Sequence, residues 1–322
     1  MTEKLALCSI VSNDHIEYLR IFCISILELT PNFDRDYLIY YRKDNLNQND
    51  INYLLKTYSK FIFKEITIEK NNLIFDEKYN NVPTTGYKKG DIPRHILLKK
   101  FSLSKIEMFK EVEYDQIIYF DIDMVCIKDL SPLLSKRFNE GLMACEDELP
   151  KLYNLVDSKT YERDHKVQGG LLILGKDIIN RKTYDELIEL LINKNFKRND
   201  QSIFGQYFGK QNKLKRLDIK FNCGRKLIRD NFIKIEDIFI IHYAGAKKPF
   251  DILKNKKNYD CFTYKYWHKF KDLSDNNSLL ISKIQFYLNF KIFPRLKKLL
   301  QIIISFRFYK VLYLTLQSKK KD

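Results

Sequence analysis

An α/β fold organised around an open, largely parallel sheet is predicted from three observations. Short apolar runs of strand length alternate with helical patterns through the first half of the chain, one such run ends on a pair of carboxylates, and another ends on a histidine. Alternation of this kind builds β–α–β units, whose strands are covered on both faces.

Residues 5–11 (LALCSIV) are a short apolar run that stops at Ser12-Asn13-Asp14, as a buried strand ending in a turn does. Residues 16–29 carry apolar side chains at helical spacing. The runs 37–41 and 61–66 are β-branched and aromatic, and the helical pattern of 48–58 separates them. That order of elements argues for a parallel sheet of the nucleotide-binding kind. Residues 71–91 are polar, with Pro83 and two glycines, and read as a loop; helical spacing returns over 93–109. QIIYF at 116–120 is a strongly apolar strand running into Asp121-Ile122-Asp123. Further apolar runs occupy 141–145 and 170–174. Residues 176–193 form an amphipathic helix with Ile178, Ile179, Leu187, Leu190 and Leu191 on one side. IFII at 238–241 is a strand running into His242, and no internal repeat is found.

The chain has 322 residues, enough for one large domain or two small ones. The polar stretch 272–278 marks the end of a body spanning 1–275, and 276–322 forms a basic, aromatic-rich tail. The formal charge is +16, and residues 283–322 hold ten basic residues against one acid, so +9 of it belongs to the tail. A mildly basic body is not the footprint of a duplex-binding surface, and no nucleic-acid partner is expected. None of the six cysteines forms a C-x-x-C pair, and most lie in apolar runs, so they read as small buried hydrophobes in a reducing compartment. The N-terminal apolar stretch is only seven residues long, too short for a signal sequence, which places the chain in the cytosol.

Asp121 and Asp123 sit at the carboxyl end of a buried strand, the edge of an open α/β sheet where ligands bind. Two carboxylates spaced this way turn toward one divalent cation, and a metal bound across a diphosphate supplies several kcal/mol as a Lewis acid. The same spacing in Asp34-Arg35-Asp36 precedes an apolar strand and is assigned to a solvated turn. His242 is more specific, because it is followed by Gly245, Lys248 and Pro249. The glycine lets backbone approach a phosphate closely, and the lysine offers it a compact charge. Carboxylate and phosphate oxygens with one imidazole suit Mn²⁺ best, Mg²⁺ tolerating nitrogen less well.

With these residues in view the chain resembles glycosyltransferase family 8, the group of glycogenin and the bacterial lipopolysaccharide galactosyl- and glucosyltransferases. The resemblance covers roughly residues 5–255 and rests on five ordered blocks. LALCSIVSND looks like the family's first strand and uracil-binding turn, which puts Ile10, Ser12 and Asn13 near the base. Lys105, sixteen residues before Asp121, matches a basic residue that contacts the diphosphate. Asp121-Ile122-Asp123 matches the metal motif, Asp200-Gln201 a pair beside the donor sugar, and His242…Gly245…Lys248-Pro-Phe the family's H-x-x-G-x-x-K-P-W.

The resemblance implies a GT-A fold, a UDP-hexose donor with Mn²⁺, and transfer with retention. It makes Asp121, Asp123 and His242 the metal ligands and Gly245 and Lys248 the diphosphate holders. Asp200 binds sugar hydroxyls, and the Gln201 amide stands near the anomeric carbon, where it steadies an oxocarbenium-like transition state but is a poor covalent nucleophile. Ile122, Asp147, Gln168 and Gly169 complete the donor-side set. Three positions depart from the family pattern. Gln168-Gly169-Gly170 stands where Asn-Ser/Ala-Gly is usual, the aromatic after Asn13 comes only at Tyr18, and Phe250 replaces the final Trp. The first bears on donor choice, since the amide is one carbon longer.

Within the tail, 299–316 is the most apolar stretch, but Arg307 and Lys310 lie at its middle, which excludes a spanning helix. A helix lying in the interface with its Lys and Arg snorkelling fits instead, so the inner face of an anionic membrane is an expected partner. A lipid-linked or other cell-surface glycan, such as lipooligosaccharide, is then a fitting acceptor. The competing readings are a basic nucleic-acid-binding protein, an idle scaffold of the same fold, and a glycogenin-like protein glucosyltransferase.

Overall fold

The computed structural model describes residues 4–43, 45–67, 102–146, 167–193, 200–245 and 261–275, with Pro249. Ten strands are described: β1 (Leu5–Ile10), β2 (Asp36–Tyr41), β3 (Phe61–Glu65), β4 (Gln116–Phe120), β5 (Met124–Cys126), β6 (Leu142–Ala144), β7 (Leu171–Gly175), β8 (Leu214–Arg216), β9 (Cys223–Gly224) and β10 (Ile240–His242). The helices are α1 (Ile16–Leu29), α2 (Gln48–Thr57), α3 (Ser131–Leu134), α4 (Arg181–Asn193), α5 (Asp200–Lys210), α6 (Arg225–Arg229) and α7 (Cys261–Asp275).

Seven strands form the main sheet in the order β3-β2-β1-β4-β7-β6-β8. The first four are mutually parallel, as the alternating pattern predicts. The sheet as a whole is mixed: β7 runs antiparallel to both β4 and β6, while β6 and β8 are parallel. A continuous apolar run reads the same in either direction, so strand polarity on that side was not legible.

Alternate strand residues face two cores. Ala6, Cys8, Leu38, Tyr40, Ile117 and Tyr119 join the layer that α4 and α5 cover, through Leu187, Ile203, Phe204 and Phe208. Leu7, Tyr37, Ile39, Ile118 and Phe120 face the layer of α1, packing on Leu19, Phe22, Cys23 and Ile26. This double burial is why the strands read as unbroken apolar runs. The chain reverses strand order between β1 and β4, with β2 and β3 on one side and β7 onward on the other. That reversal opens a crevice at the strands' carboxyl ends.

Several helix ends differ from the periodicity. α2 begins where expected because Asn47 and Asp50 make a reciprocal capping box, each backbone N–H donating to the other's side chain at 3.0 Å. The helix predicted over 176–193 is split: Lys176–Ile178 is a 3₁₀ turn, and α4 starts only after Asn180, whose side-chain oxygen accepts from the Thr183 N–H at 2.8 Å. Of the pattern at 93–109, the described part ends in a 3₁₀ helix at Ser104–Lys110. His242 lies within β10 rather than after a 238–241 strand, since Ile235–Asp237 forms a 3₁₀ turn just upstream. The opening of the 272–278 linker is the last turn of α7. Cys8, Cys23, Cys126, Cys145 and Cys223 are buried, and no disulfide joins them among the described residues. Asp34 is exposed and Asp36 opens β2, as a turn before a strand requires. The chain divides into a unit of residues 1–270 and a second of 271–322, and the tail from 276 onward lies outside the described residues, as does the loop at 71–91.

Candidate active site

The crevice at the order reversal is where β1 delivers Ser12-Asn13 and β4 delivers Asp121. Past Phe120 the chain leaves the main sheet, and the Asp121 N–H makes a last bond to the Gly170 carbonyl at 2.8 Å. It then enters a second sheet of order β5-β10-β9. β10 pairs antiparallel with β5, setting His242 opposite Met124, and parallel with β9, setting it beside Gly224. The Tyr243 N–H donates to the Asp123 carbonyl at 2.8 Å. This small sheet is the physical reason that an imidazole from position 242 reaches two carboxylates from position 121 onward.

His242 Nε2 lies 3.2 Å from Asp123 Oδ1 and 3.8 Å from Asp121 Oδ2, and one ligand atom from each residue falls within 4.8 Å of the others. Adjacent ligands of an octahedron at ~2.1 Å stand about 3 Å apart and opposite ones about 4 Å, so the spacing fits one small divalent cation. The donor set, two carboxylates and an imidazole, is of the kind Mn²⁺ and its neighbours accept. The buried imidazole is backed on its other side: Nδ1 is 2.8 Å from the Asn222 side-chain oxygen. A Cβ on Gly170 would come within 2.5 Å of His242 Cε1 and 2.7 Å of Nδ1, so only glycine leaves room for the ring.

Beside this trio sits a buried cationic centre. Lys105 Nζ donates to Asp200 Oδ2 at 2.7 Å and to the Gly169 carbonyl at 2.8 Å, and lies 3.2 Å from Asp121 Oδ1. Burial alone pushes the Lys105 pKa down, but Asp121 and Asp200 outweigh it and hold the ammonium above the ordinary lysine range. The Tyr119 hydroxyl donates to Asp121 Oδ1 at 2.7 Å, and burial, with Asp121 adding to it, pushes the phenol well up, so it stays a donor. Gly169 is as constrained as its neighbour: a Cβ there would meet Asp200 Oδ2 at 2.6 Å and Gln201 Cγ at 3.2 Å. Asp200 and Gln201 open α5, which points them at the same corner.

At the other end of the crevice, Ser12 precedes a 3₁₀ turn, and its hydroxyl bonds His15 Nδ1 at 2.8 Å. Asn13 is exposed and its side-chain oxygen accepts from the Asp14 N–H at 2.9 Å, whereas the Ile10 side chain belongs to the core. Tyr18 is buried against Trp267, its ring 5.0 Å away, rather than presented to the crevice. Ile122 is half-buried beside the α1-side core. The Gln168 N–H donates to the Cys145 carbonyl at 2.7 Å, while its buried Oε1 finds no hydrogen-bond partner among the described residues. Gly245 bends the chain just after β10 with φ +97°, a conformation open to glycine. Asp147 and Lys248 lie outside the described residues.

The structure therefore brings Lys105, Asp121, Asp123, Gly169, Asp200, Gln201 and His242 into one cluster, with the β1 end nearby. Sequence reasoning missed Asn222 and Tyr119. No spacing pointed to Asn222, twenty residues before His242 in a loop; Tyr119 lay inside QIIYF, where its phenol read as one more apolar strand residue.

Comparison with known proteins identifies the family and the fold. The model of glycosyl transferase family 8 matches residues 8–252. A crystal structure of the galactosyltransferase LgtC with donor and acceptor sugar analogues superposes with a TM-score of 0.59 at 14% identity, over 85% of this chain and 97% of that one. An active-site glutamine-to-glutamate mutant of LgtC gives 0.60 at 13% identity, over 83% and 95%. The glycosyltransferase GlyE of Streptococcus pneumoniae TIGR4 gives 0.55 at 15% identity, over 89% of this chain and 64% of that one. No curated protein matches the sequence. The shared fold is GT-A, and with three quarters of its length matched by one family model, the chain belongs to glycosyl transferase family 8.

Proposed function

We propose that the protein transfers a hexose, galactose or glucose, from a UDP-sugar to a glycan acceptor with retention at the anomeric carbon, using Mn²⁺ held by Asp121, Asp123 and His242. The observation that carries this reading is the meeting of those three side chains at the order reversal of the sheet, one residue step from a buried Lys105–Asp200 pair. When bound, the metal supplies Lewis acidity that makes a diphosphate a good leaving group.

The chain's own residues do the rest. Ser12 and Asn13 receive the base at the end of β1, with the buried Ile10 side chain acting from the core beneath them. Lys105 is already desolvated and surrounded by acids, so it meets a diphosphate as a fixed positive charge that needs no reorganisation. Gly245 and Lys248 hold the diphosphate. Asp200 accepts hydrogen bonds from sugar hydroxyls, with Gln168 and Gly169 on the same wall, and the Gln201 amide faces the reacting carbon.

A panel of UDP-sugars with Mn²⁺, read by released UDP, tests donor class and activity together. Asp123→Ala is expected to lose release by at least ~100-fold, in line with losing a metal ligand at the reacting phosphate. Unchanged release in that variant would falsify the metal assignment. The basic, apolar segment of the tail suits an enzyme working on a lipid-linked glycan at the cell surface.

A further inference from the structure

We propose that Asn222 is a positioning residue for the metal: its side-chain oxygen accepts the Nδ1–H of His242 and so holds the imidazole in the tautomer whose Nε2 lone pair faces Asp121 and Asp123. The inference rests on the metal reading above and deepens it. Nε2 is the ring atom turned to the carboxylates, at 3.2 Å and 3.8 Å, and Nδ1 is turned to Asn222 at 2.8 Å. A neutral imidazole carries one proton. If Nε2 is to bind a cation, that proton is on Nδ1 and needs an acceptor there.

The opposite arrangement turns the amide, so that its NH₂ donates to Nδ1 and a proton on Nε2 points at Asp123. In that state the ring has no lone pair for a cation, and the site is closed. The choice between the two is therefore the choice between a ligand and a bystander, and it is made by one amide oxygen. Outer groups of this kind typically alter metal affinity by about 10–100-fold.

Two features separate Asn222 from a packing residue. It is fully buried, yet its Nδ2 has no hydrogen-bond partner among the described residues, a cost that a leucine of the same size would avoid. It also sits at the end of the 3₁₀ turn Ile219–Phe221, immediately before β9, the strand paired to β10. The same ladder that places His242 thus places its partner. A neutral amide supplies the acceptor without adding a third negative charge behind the two carboxylates.

The test uses the full chain and Mn²⁺ alone, with the free-ion resonance of Mn²⁺ giving the affinity and Asp123→Ala as reference. Asn222→Leu is expected to bind Mn²⁺ about 10–100-fold more weakly, while Asn222→Asp, which keeps an oxygen at Nδ1, binds as tightly as the wild type or more tightly. Nitrogen-15 spectra of the metal-free wild type, assigned with His242→Gln, are expected to show His242 protonated at Nδ1. This last measurement needs no Asn222 variant, so it decides the matter even where Asn222→Leu does not fold. Normal binding by Asn222→Leu beside lost binding by Asp123→Ala overturns the role of Asn222 alone, as does a proton on Nε2. Equal binding by Asp123→Ala and wild type overturns the metal reading and this inference with it.

Discussion

Lys105 shows how a single buried charge is held at this site. It is 5% exposed, and its ammonium touches two carboxylates and a carbonyl. Removing one partner of such a group leaves the others buried and uncompensated, which costs about 3–5 kcal/mol. Lys105→Met is expected to lose that much stability, measured by urea denaturation near neutral pH. The pH dependence has a definite sign. A lysine whose folded-state pKa is raised stabilises fully below its unfolded value of ~10.4, and that contribution disappears as pH rises through the higher folded value. The gap in melting temperature between wild type and Lys105→Met should therefore stay constant between about pH 6 and 9 and close only above ~10.4. A gap that closes on acidification instead would mean that the acids, not the lysine, dominate the centre. At this scale the meeting of Asp121, Asp123 and His242 was readable from sequence, because the expectation of a metal-bound diphosphate calls for carboxylates at a strand end and an imidazole able to join them. Tyr119 and Asn222 were not readable, since their roles depend on which atoms face which, and that is set by pairing between distant strands.

Among elements, α7 carries more than its late position suggests. Trp267, the chain's one tryptophan, is fully buried with its ring 5.0 Å from Tyr18 of α1 and 5.4 Å from Tyr243, the residue after His242. The Tyr243 hydroxyl in turn donates to the Thr263 carbonyl at 2.7 Å, and its ring stacks on Tyr264. α7 thereby clamps β10 against α1. Trp267→Ala is expected to cost ~3–5 kcal/mol, read from far-UV circular dichroism in urea because the variant has no tryptophan to follow. A loss below ~1 kcal/mol would show that the neighbouring rings collapse into the space. Neither α7 nor α5 was assigned from sequence. α5 is interrupted by Gly205 and Gly209, and α7 is rich in aromatics, so intrinsic propensity is weak in both and tertiary packing decides. Strands β1, β2 and β4 were legible because both faces are apolar; β5, β8 and β9 have three residues or fewer, too short for a period.

For the whole molecule, charge is distributed unevenly, and that has a measurable result. The net +9 of residues 283–322 stands against +7 for everything else. Near an anionic leaflet each basic residue contributes ~1 kcal/mol, an attraction screened by salt. Among the described residues no helix is long and apolar enough to cross a membrane. The full chain is expected to sediment with phosphatidylserine vesicles and to be released as salt rises, while a chain shortened to end at Ser278 stays in solution. A shortened chain that still sediments would move the attachment to the body. Where the body ends was read from a polar stretch whose first residues prove helical, since α7 continues through Asp275.

The pairing of β10 with β5 and β9 has a consequence for how the protein matures. The cluster draws on residues that are neighbours only after the chain has travelled from position 105 past 240 and folded back. A growing polypeptide that has emerged only through the acid pair has no place to trap a cation. On the proposed metal reading, ion capture is thus expected to be a late event that rewards the finished topology alone, and by mass action it would stabilise that state over every partly assembled one.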